Sequence, residues 1–555
     1  MNFHIKEVLI IVYVLKSYNI YIDRIAGLGF SLTVIIYIAL FLLLLLALIM
    51  ASYIKNNIIR YLFGLIFFVS AVFFDAYEKI TGDFLTYDAF ISLLNARDFA
   101  EEALTQFFST IITSFAIGIL LLTGISLKPK CIPPLSNYFF IISPILAVIL
   151  LTVILFFRGG YAAQGLPSMF APLSYLNLTI YEVFNNTYGE RKEISIERNN
   201  KVINHDIVLI IDESISGNYL DINSKYGVAT NLNNQYKGIN MYNYGYAASI
   251  ANCSTAINLT LRYGGTRNDY LRMNSTMPSI WKYAIKAGLH TVYIDAQRTG
   301  MRTQNGMTKE ELRDIERFIQ FDGVPVIQRD ITAANMLVEL LNNGTHDFII
   351  VNKMGAHFPI HDKYPKEFMK YTPALPRGRF LDISDTGSRE GFDGSTDDWT
   401  QYRNSYKNTL LWNVGEFFSI IFKRANLNNA IIIYTSDHGQ DLHERGNPGK
   451  NTHCSADPNM EEGLVPLVII EGSALKTKNW ESNLNTNRNR SSHYNIFPTL
   501  LTLMSYNSNK IKSIYGNSLN VKTEDDFTFN AKFNARFNSK PIWKKIDLNK
   551  IVTPE

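Results

Sequence analysis

An aspartate and a histidine stand side by side in Ser436-Asp437-His438-Gly439, following the apolar run Asn429 to Tyr434. The run reads as a buried parallel strand, and Gly439 permits a tight exit from it. Open α/β sheets keep their chemistry at the carboxyl ends of strands. Aspartate and histidine there are both ligands for a divalent metal. A second apolar run, Asp206 to Ile211, ends in Asp212-Glu213-Ser214. Glu213, Asp437 and His438 are therefore predicted to share one sheet edge. On the pattern alone they read either as metal ligands or as an ordinary buried ion pair.

Of the ten histidines, His205, His290 and His346 each precede a predicted strand, at the end away from this edge. His357, in Lys353-Met354-Gly355-Ala356-His357, follows the strand Phe348 to Val351 and is a site candidate. His453 lies in a polar loop after Pro448-Gly449-Lys450 and on its own reads as surface. The run Ala251-Asn252-Cys253-Ser254-Thr255-Ala256 precedes Ile257. Ser254 or Thr255 is expected to cap a helix there. A hydroxyl at that position also faces free N–H groups and the positive helix end, which suit a phosphoryl group.

The elements that must position these residues begin near Asp206. From there, short apolar strands alternate with amphipathic helices at Ser279 to Ala287, Thr332 to Leu341, Ser405 to Arg424 and Asn495 to Leu503. That alternation predicts a mostly parallel sheet between helices. The preceding part is different. The chain is 47% hydrophobic and 18% charged, and the apolar excess is concentrated at the front. Uncharged or nearly uncharged stretches at Leu32 to Met50, Ile58 to Phe74, Phe107 to Leu127 and Phe139 to Phe157 are long enough to span a bilayer. A further stretch, Ile5 to Ile22, carries Lys16 and lacks a small-residue cleavage site, so it reads as an uncleaved first span rather than a signal peptide. Residues 1–157 are thus expected to form a transmembrane domain of about five spans.

The short segments Ser52 to Arg60 and Leu127 to Ser136 are basic, while the segment after Phe74 is acidic. Basic short loops stay cytoplasmic, which puts everything after Phe157 outside. Residues 158–204, with Tyr161, Phe170, Tyr175, Tyr181 and Phe184, are expected to form interfacial linker helices, and 205–555 the external α/β domain. The net charge of +4 comes without a basic tract, so nucleic acid is not a predicted partner. Three cysteines, Cys131, Cys253 and Cys454, are too few for a disulfide scaffold.

Taken together, these motifs resemble those of the bacterial phosphoethanolamine transferases, inner-membrane enzymes of lipid A modification and mobile colistin resistance within the alkaline phosphatase and sulfatase superfamily. Glu213 matches the family's glutamate after its first strand, and Thr255, in Ser254-Thr255-Ala256, its nucleophile. Asp437 and His438 match its Ser-Asp-His-Gly motif, and His357 its Met-Gly-x-His. His453 matches a later histidine, at looser spacing. The resemblance implies a sulfatase-like fold and Zn2+ held by Glu213, Asp437, His438 and the Thr255 oxygen. His357 and His453 would bind the substrate. The implied reaction moves phosphoethanolamine from phosphatidylethanolamine to lipid A, a core sugar or another envelope glycan through a phosphothreonine, in the periplasm of a multi-pass inner-membrane protein. The chain departs from the family in several places: Ala251-Asn252 stand where Cys-Gly is usual, Gln440 replaces an acid, and one external disulfide, Cys253 to Cys454, is the most it can form. Two alternatives remain, a glycerol-phosphate transferase of the same superfamily and a non-catalytic membrane regulatory protein retaining the fold. A sulfatase is disfavoured, because Cys253-Ser254-Thr255-Ala256-Ile257 lacks the Cys-x-Pro-x-Arg signal.

Overall fold

The computed structural model describes residues 5–81, 84–95, 104, 107–129, 134–185, 189–199, 201–358, 360–376, 392, 394–447, 451–455, 457–475, 480–533 and 540–554. Cys131 lies outside them. The chain divides into two compact units, Met1–Thr187 with Asn534–Lys540, and Tyr188–Phe533 with Pro541–Glu555.

In the first unit, four helices among the described residues are long and apolar enough to cross a membrane: Leu32–Ser52, Asn57–Thr81, Phe108–Ser126 and Asn137–Phe157. The span expected over Ile5 to Ile22 is instead two helices of 11 residues each, Ile5–Leu15 and Tyr18–Leu28. At 1.5 Å per residue, neither reaches across a core of about 30 Å. The break falls at Lys16, whose ammonium pairs with the buried Asp75 carboxylate and also donates to the Tyr13 hydroxyl at 3.0 Å. Two other cations close helix ends. Lys6 donates to the carbonyls of Ser52 and Leu127, and buried Arg60 to those of Ser126 at 3.1 Å and Ile54 at 2.8 Å. Carbonyls at the ends of Leu32–Ser52 and Phe108–Ser126, which have no intrahelical partner, are satisfied in this way. The helix Phe170–Asn185 buries Phe170 and Tyr175 against the apolar core of this unit and leaves Tyr181 and Phe184 exposed.

The second unit is built on an eight-stranded sheet. Its strands are β1 (Asp206–Asp212), β2 (Ile239–Ala248), β3 (His290–Asp295), β4 (Arg317–Gln320), β5 (Asp347–Asn352), β6 (Ala430–Ser436), β7 (Leu464–Gly472) and β8 (Ser491–Ser492), in the spatial order β4-β3-β5-β1-β6-β7-β2-β8. The strands from β4 to β6 are parallel; β7 runs antiparallel to both its neighbours. Side chains alternate across the sheet with period two. Ile207, Leu209 and Ile211 of β1 pack in one core with Trp281 and Leu500, while Val208 and Ile210 pack in another with Leu337 and Phe417. Burial on both faces explains why these strands are continuous apolar runs.

Register sets the site. Asp212 of β1 pairs with Ser436 of β6, and Ile211 with Asn352 of β5. The three central strands therefore end level, and the residues that follow them emerge at one edge. The helix expected over Ser405 to Arg424 is longer and not regular. It runs as Thr396–Leu410 and Phe417–Arg424 around a π-helical turn, Leu411–Glu416. Such insertions recur at functional sites.

Candidate active site

Glu213, Asp437 and His438 meet at that edge. Each is buried, and each offers a ligand atom within 4.8 Å of the others. His438 Nε2 lies 3.4 Å from Glu213 Oε1 and 3.6 Å from Asp437 Oδ2. His438 Nδ1 bonds the Gly439 carbonyl at 2.7 Å, which fixes the ring and leaves Nε2 facing the carboxylates.

These three groups could hold a metal ion, and each shifts the charge state of the others. Burial, then the neighbouring Glu213 charge, push Asp437 well above the usual carboxylate range. Burial also opposes the charge on Glu213, but the hydrogen bond and charge of His438 outweigh it and hold that carboxyl low. Asp437 Oδ2 is buried with no hydrogen-bond partner among the described residues. Two crowded carboxylates and an imidazole nitrogen, with one oxygen left unsatisfied, fit a divalent metal better than an ion pair. Among the described residues this is the one cluster of three such groups.

The hydroxyl that joins them belongs to Ser254. Its Oγ lies 3.3 and 3.4 Å from the two Glu213 carboxylate oxygens and 3.2 Å from His438 Nε2. Thr255, expected at this place, is exposed. The reason is helix phase. The helix Ser254–Tyr263 is capped by Cys253 in an extended conformation, so neither hydroxyl serves as the N-cap. Ser254 shares a face with the buried residues Ile257, Asn258 and Leu261, three, four and seven positions on. Thr255 is turned about 100° away from it.

His453 stacks on His438 with ring centroids 4.4 Å apart, and its Nδ1 lies 3.2 Å from Thr452 Oγ1. Cys253 and Cys454 are joined by a disulfide, and the Cys454 N–H donates to the Asn252 carbonyl at 2.9 Å. The residue before Ser254 and the residue after His453 are thus bonded to each other. His357 lies in the loop after β5, its Nδ1 2.8 Å from the Phe358 carbonyl. Burial lowers its pKa, and the Glu213 charge works in the opposite direction. The structure thus groups four of the six residues expected at the site around one point: Glu213, Asp437, His438 and His453. His357 borders it, and Thr255 gives way to Ser254. His493 is structural: buried behind β6, it meets Thr435 Oγ1 at 3.0 Å.

The loop holding His357 is fixed by a buried network for which the sequence carries no spacing signal. Lys353 Nζ donates to Asp212 Oδ2 at 2.6 Å and to the Asn413 carbonyl, in the π-turn, at 2.5 Å. Asp330 accepts the N–H groups of Met354 at 2.7 Å and Gly355 at 2.9 Å. Gly355 has φ 52°, and a Cβ there would lie 2.4 Å from the Glu213 carbonyl oxygen. Gly355→Ala is therefore expected to displace Glu213. The overlap should cost about 1–3 kcal/mol, and the lowered melting temperature should be accompanied by lost divalent-metal binding.

A family model described as sulfatase matches residues 205–506, more than half of the chain. The chain belongs to the sulfatase family. This sulfatase-family chain is also similar to the Kdo(2)-lipid A phosphoethanolamine 7''-transferase of Salmonella typhimurium, 24% identical over 230 residues, covering 39% of this chain and 36% of the relative. The Escherichia coli protein of the same name is 27% identical over 127 residues, covering 23% of this chain and 19% of the relative. The chain thus spans about a third or less of the length of these relatives. Among solved structures, the integral membrane lipooligosaccharide phosphoethanolamine transferase A of Neisseria meningitidis superposes with a TM-score of 0.65 at 18% identity, covering 92% of this chain and 98% of that one. The C-terminal periplasmic domain of EptC from Escherichia coli gives 0.50 at 18% identity, covering 66% and 100%. The first likeness covers both the membrane-capable helices and the α/β domain that follows them, and the second the α/β domain alone.

Proposed function

We propose that this chain transfers phosphoethanolamine from phosphatidylethanolamine to a cell-envelope acceptor of the lipid A type, through a covalent intermediate on Ser254. The observation that carries the reading is the Ser254 hydroxyl within hydrogen-bond reach of Glu213 and His438, at a buried site that wants a divalent cation. The names of the relatives and the full-length fold neighbour supply the substrate class.

Glu213, Asp437 and His438 would hold Zn2+, whose mixed carboxylate and imidazole ligation they fit. When bound, zinc supplies Lewis acidity that lowers the pKa of a nearby hydroxyl and offsets phosphoryl charge. Ser254, at the first turn of its helix, presents Oγ toward the cluster, where Glu213 accepts its hydrogen bond and His438 Nε2 lies 3.2 Å away. Its Oγ–phosphorus bond forms as the phosphorus–oxygen bond to diacylglycerol breaks, the hydroxyl proton ending on the released diacylglycerol oxygen; an acceptor hydroxyl or phosphate oxygen then displaces Ser254 Oγ from phosphorus, and its proton returns to Ser254. Splitting the transfer into two displacements is covalent catalysis. His357 and His453 flank the reacting group and are assigned to the phosphate oxygens. The four membrane-capable helices and the basic segments around Lys55 and Lys128 support an inner-membrane protein with this domain in the periplasm. A lipid donor is then available without extraction into water.

The test is mass spectrometry of envelope lipids and glycans from cells with and without the chain. Expected is a gain of one phosphoethanolamine on a lipid A-type component, with diacylglycerol released. A gain of glycerol phosphate instead would reassign the donor. No modified component in cells expressing the chain would reject transfer.

A further inference from the structure

Ser214 touches both carboxylates of the cluster. Its backbone N–H donates to Asp437 Oδ1 at 2.9 Å, and its hydroxyl donates to Glu213 Oε1 at 2.9 Å. It makes both contacts at φ 63°, a left-handed conformation that costs free energy in any residue but glycine. Strained backbone of this kind persists only where its surroundings hold it. Here Tyr406, fully buried, donates its hydroxyl to the Ser214 carbonyl at 2.9 Å and accepts the Ser216 N–H at 2.8 Å. The other Glu213 oxygen is held from the far side. Gln297, buried in the loop after β3, donates Nε2 to Glu213 Oε2 at 3.1 Å and to the Lys353 carbonyl at 2.7 Å. Gln304 Nε2 donates to Gln297 Oε1 at 2.7 Å, which determines which end of the Gln297 amide faces Glu213.

We infer that Ser214 and Gln297 are positioning residues for the metal centre: together they clamp Glu213 and orient Asp437 so that the two ligand oxygens converge. The inference rests on the reading of Glu213, Asp437 and His438 as a zinc site. A buried carboxylate repelled by its neighbour rotates away unless its oxygens are pinned. The hydroxyl and the amide pin the two oxygens of Glu213, while the Ser214 N–H holds Asp437 Oδ1 and leaves Oδ2 for the cation. The strain at Ser214 follows from this double duty, since the left-handed turn aims N–H and hydroxyl at two different carboxylates.

The experiment measures zinc affinity of the full chain in detergent, by competition with a chelator of known affinity, alongside the melting temperature of the zinc-free protein. Ser214→Ala and Gln297→Leu are each expected to weaken zinc binding by about 10- to 100-fold, the range for partners that orient metal ligands. Ser214→Gly relieves the backbone strain but also lacks the hydroxyl. It should weaken zinc as much as Ser214→Ala while melting no lower. Zinc affinity unchanged in Ser214→Gly and Gln297→Leu, with the wild-type chain binding zinc, overturns the clamp. A wild-type chain that takes up no zinc overturns the metal reading on which the clamp rests.

Discussion

Ser254→Ala should lower transfer by about three orders of magnitude or more, the scale on which losing a covalent nucleophile acts, whereas Thr255→Ala should keep turnover within about tenfold. The two hydroxyls are adjacent in the chain but not in space. Ser254 Oγ sits 3.2 Å from His438 Nε2, and Thr255 is exposed. The contrast is sharp because the helix leaves no compromise: Ala256 and Ile257 are locked in the core, so the first turn cannot rotate to exchange one hydroxyl for the other. Labelled phosphatidylethanolamine, with diacylglycerol release and acceptor labelling followed separately, measures the effect. Phosphoethanolamine trapped on the protein should map to Ser254 in a digest. Full activity in Ser254→Ala, with loss in Thr255→Ala, would return the role to Thr255 and show that the first turn rearranges when substrate enters.

How far the sequence specifies this site differs residue by residue. The placement of Asp437, His438 and Glu213 is legible because each stands just beyond a strand with a continuous apolar run, Ile207 to Ile211 or Ile431 to Tyr434, buried on both faces. His357 was legible for the same reason. The choice between Ser254 and Thr255 depends on helix phase: the family pattern points to Thr255, whereas the structure places the Ser254 hydroxyl at the cluster and leaves Thr255 exposed. The buried face through Ile257, Asn258 and Leu261 was the available signal, and it selects Ser254. Gln297 and Asn413 carried no signal: an amide in a loop and a carbonyl in a π-turn become functional only through tertiary contacts. The same is true of the break at Lys16. An isolated lysine in an apolar stretch reads as a tolerated charge until Asp75, far along the chain, is placed beside it. Local patterns thus fix strands and the residues at their ends, whereas contacts between distant segments decide which polar side chains hold those residues in place.

Asp437→Asn is expected to have the second large effect, with opposite signs in the metal-bound and metal-free protein. Asp437 Oδ1 accepts the Ser214 N–H at 2.9 Å and the His438 N–H at 2.7 Å, contacts that an asparagine oxygen can keep. The change falls on Oδ2, the buried oxygen with no hydrogen-bond partner among the described residues, which becomes an amide NH2 that does not ligate zinc. Zinc affinity should therefore fall by more than the roughly 100-fold upper range for residues that merely orient ligands, and transfer should be lost with it. The metal-free protein should respond the other way. There the wild-type chain buries two carboxylates against each other, and burial and the Glu213 charge hold the Asp437 pKa above its unfolded value. A group whose pKa is raised on folding loses stability as the pH rises above its unfolded pKa. Asparagine does not titrate, so the zinc-free variant should melt above zinc-free wild type, by a margin that grows with pH from the ordinary aspartate range upward. Thermal melts with zinc and with chelator, at acidic and mildly alkaline pH, check both signs. A variant that is destabilised equally with and without zinc would mean that Asp437 supports the fold through its hydrogen bonds alone and is not a metal ligand.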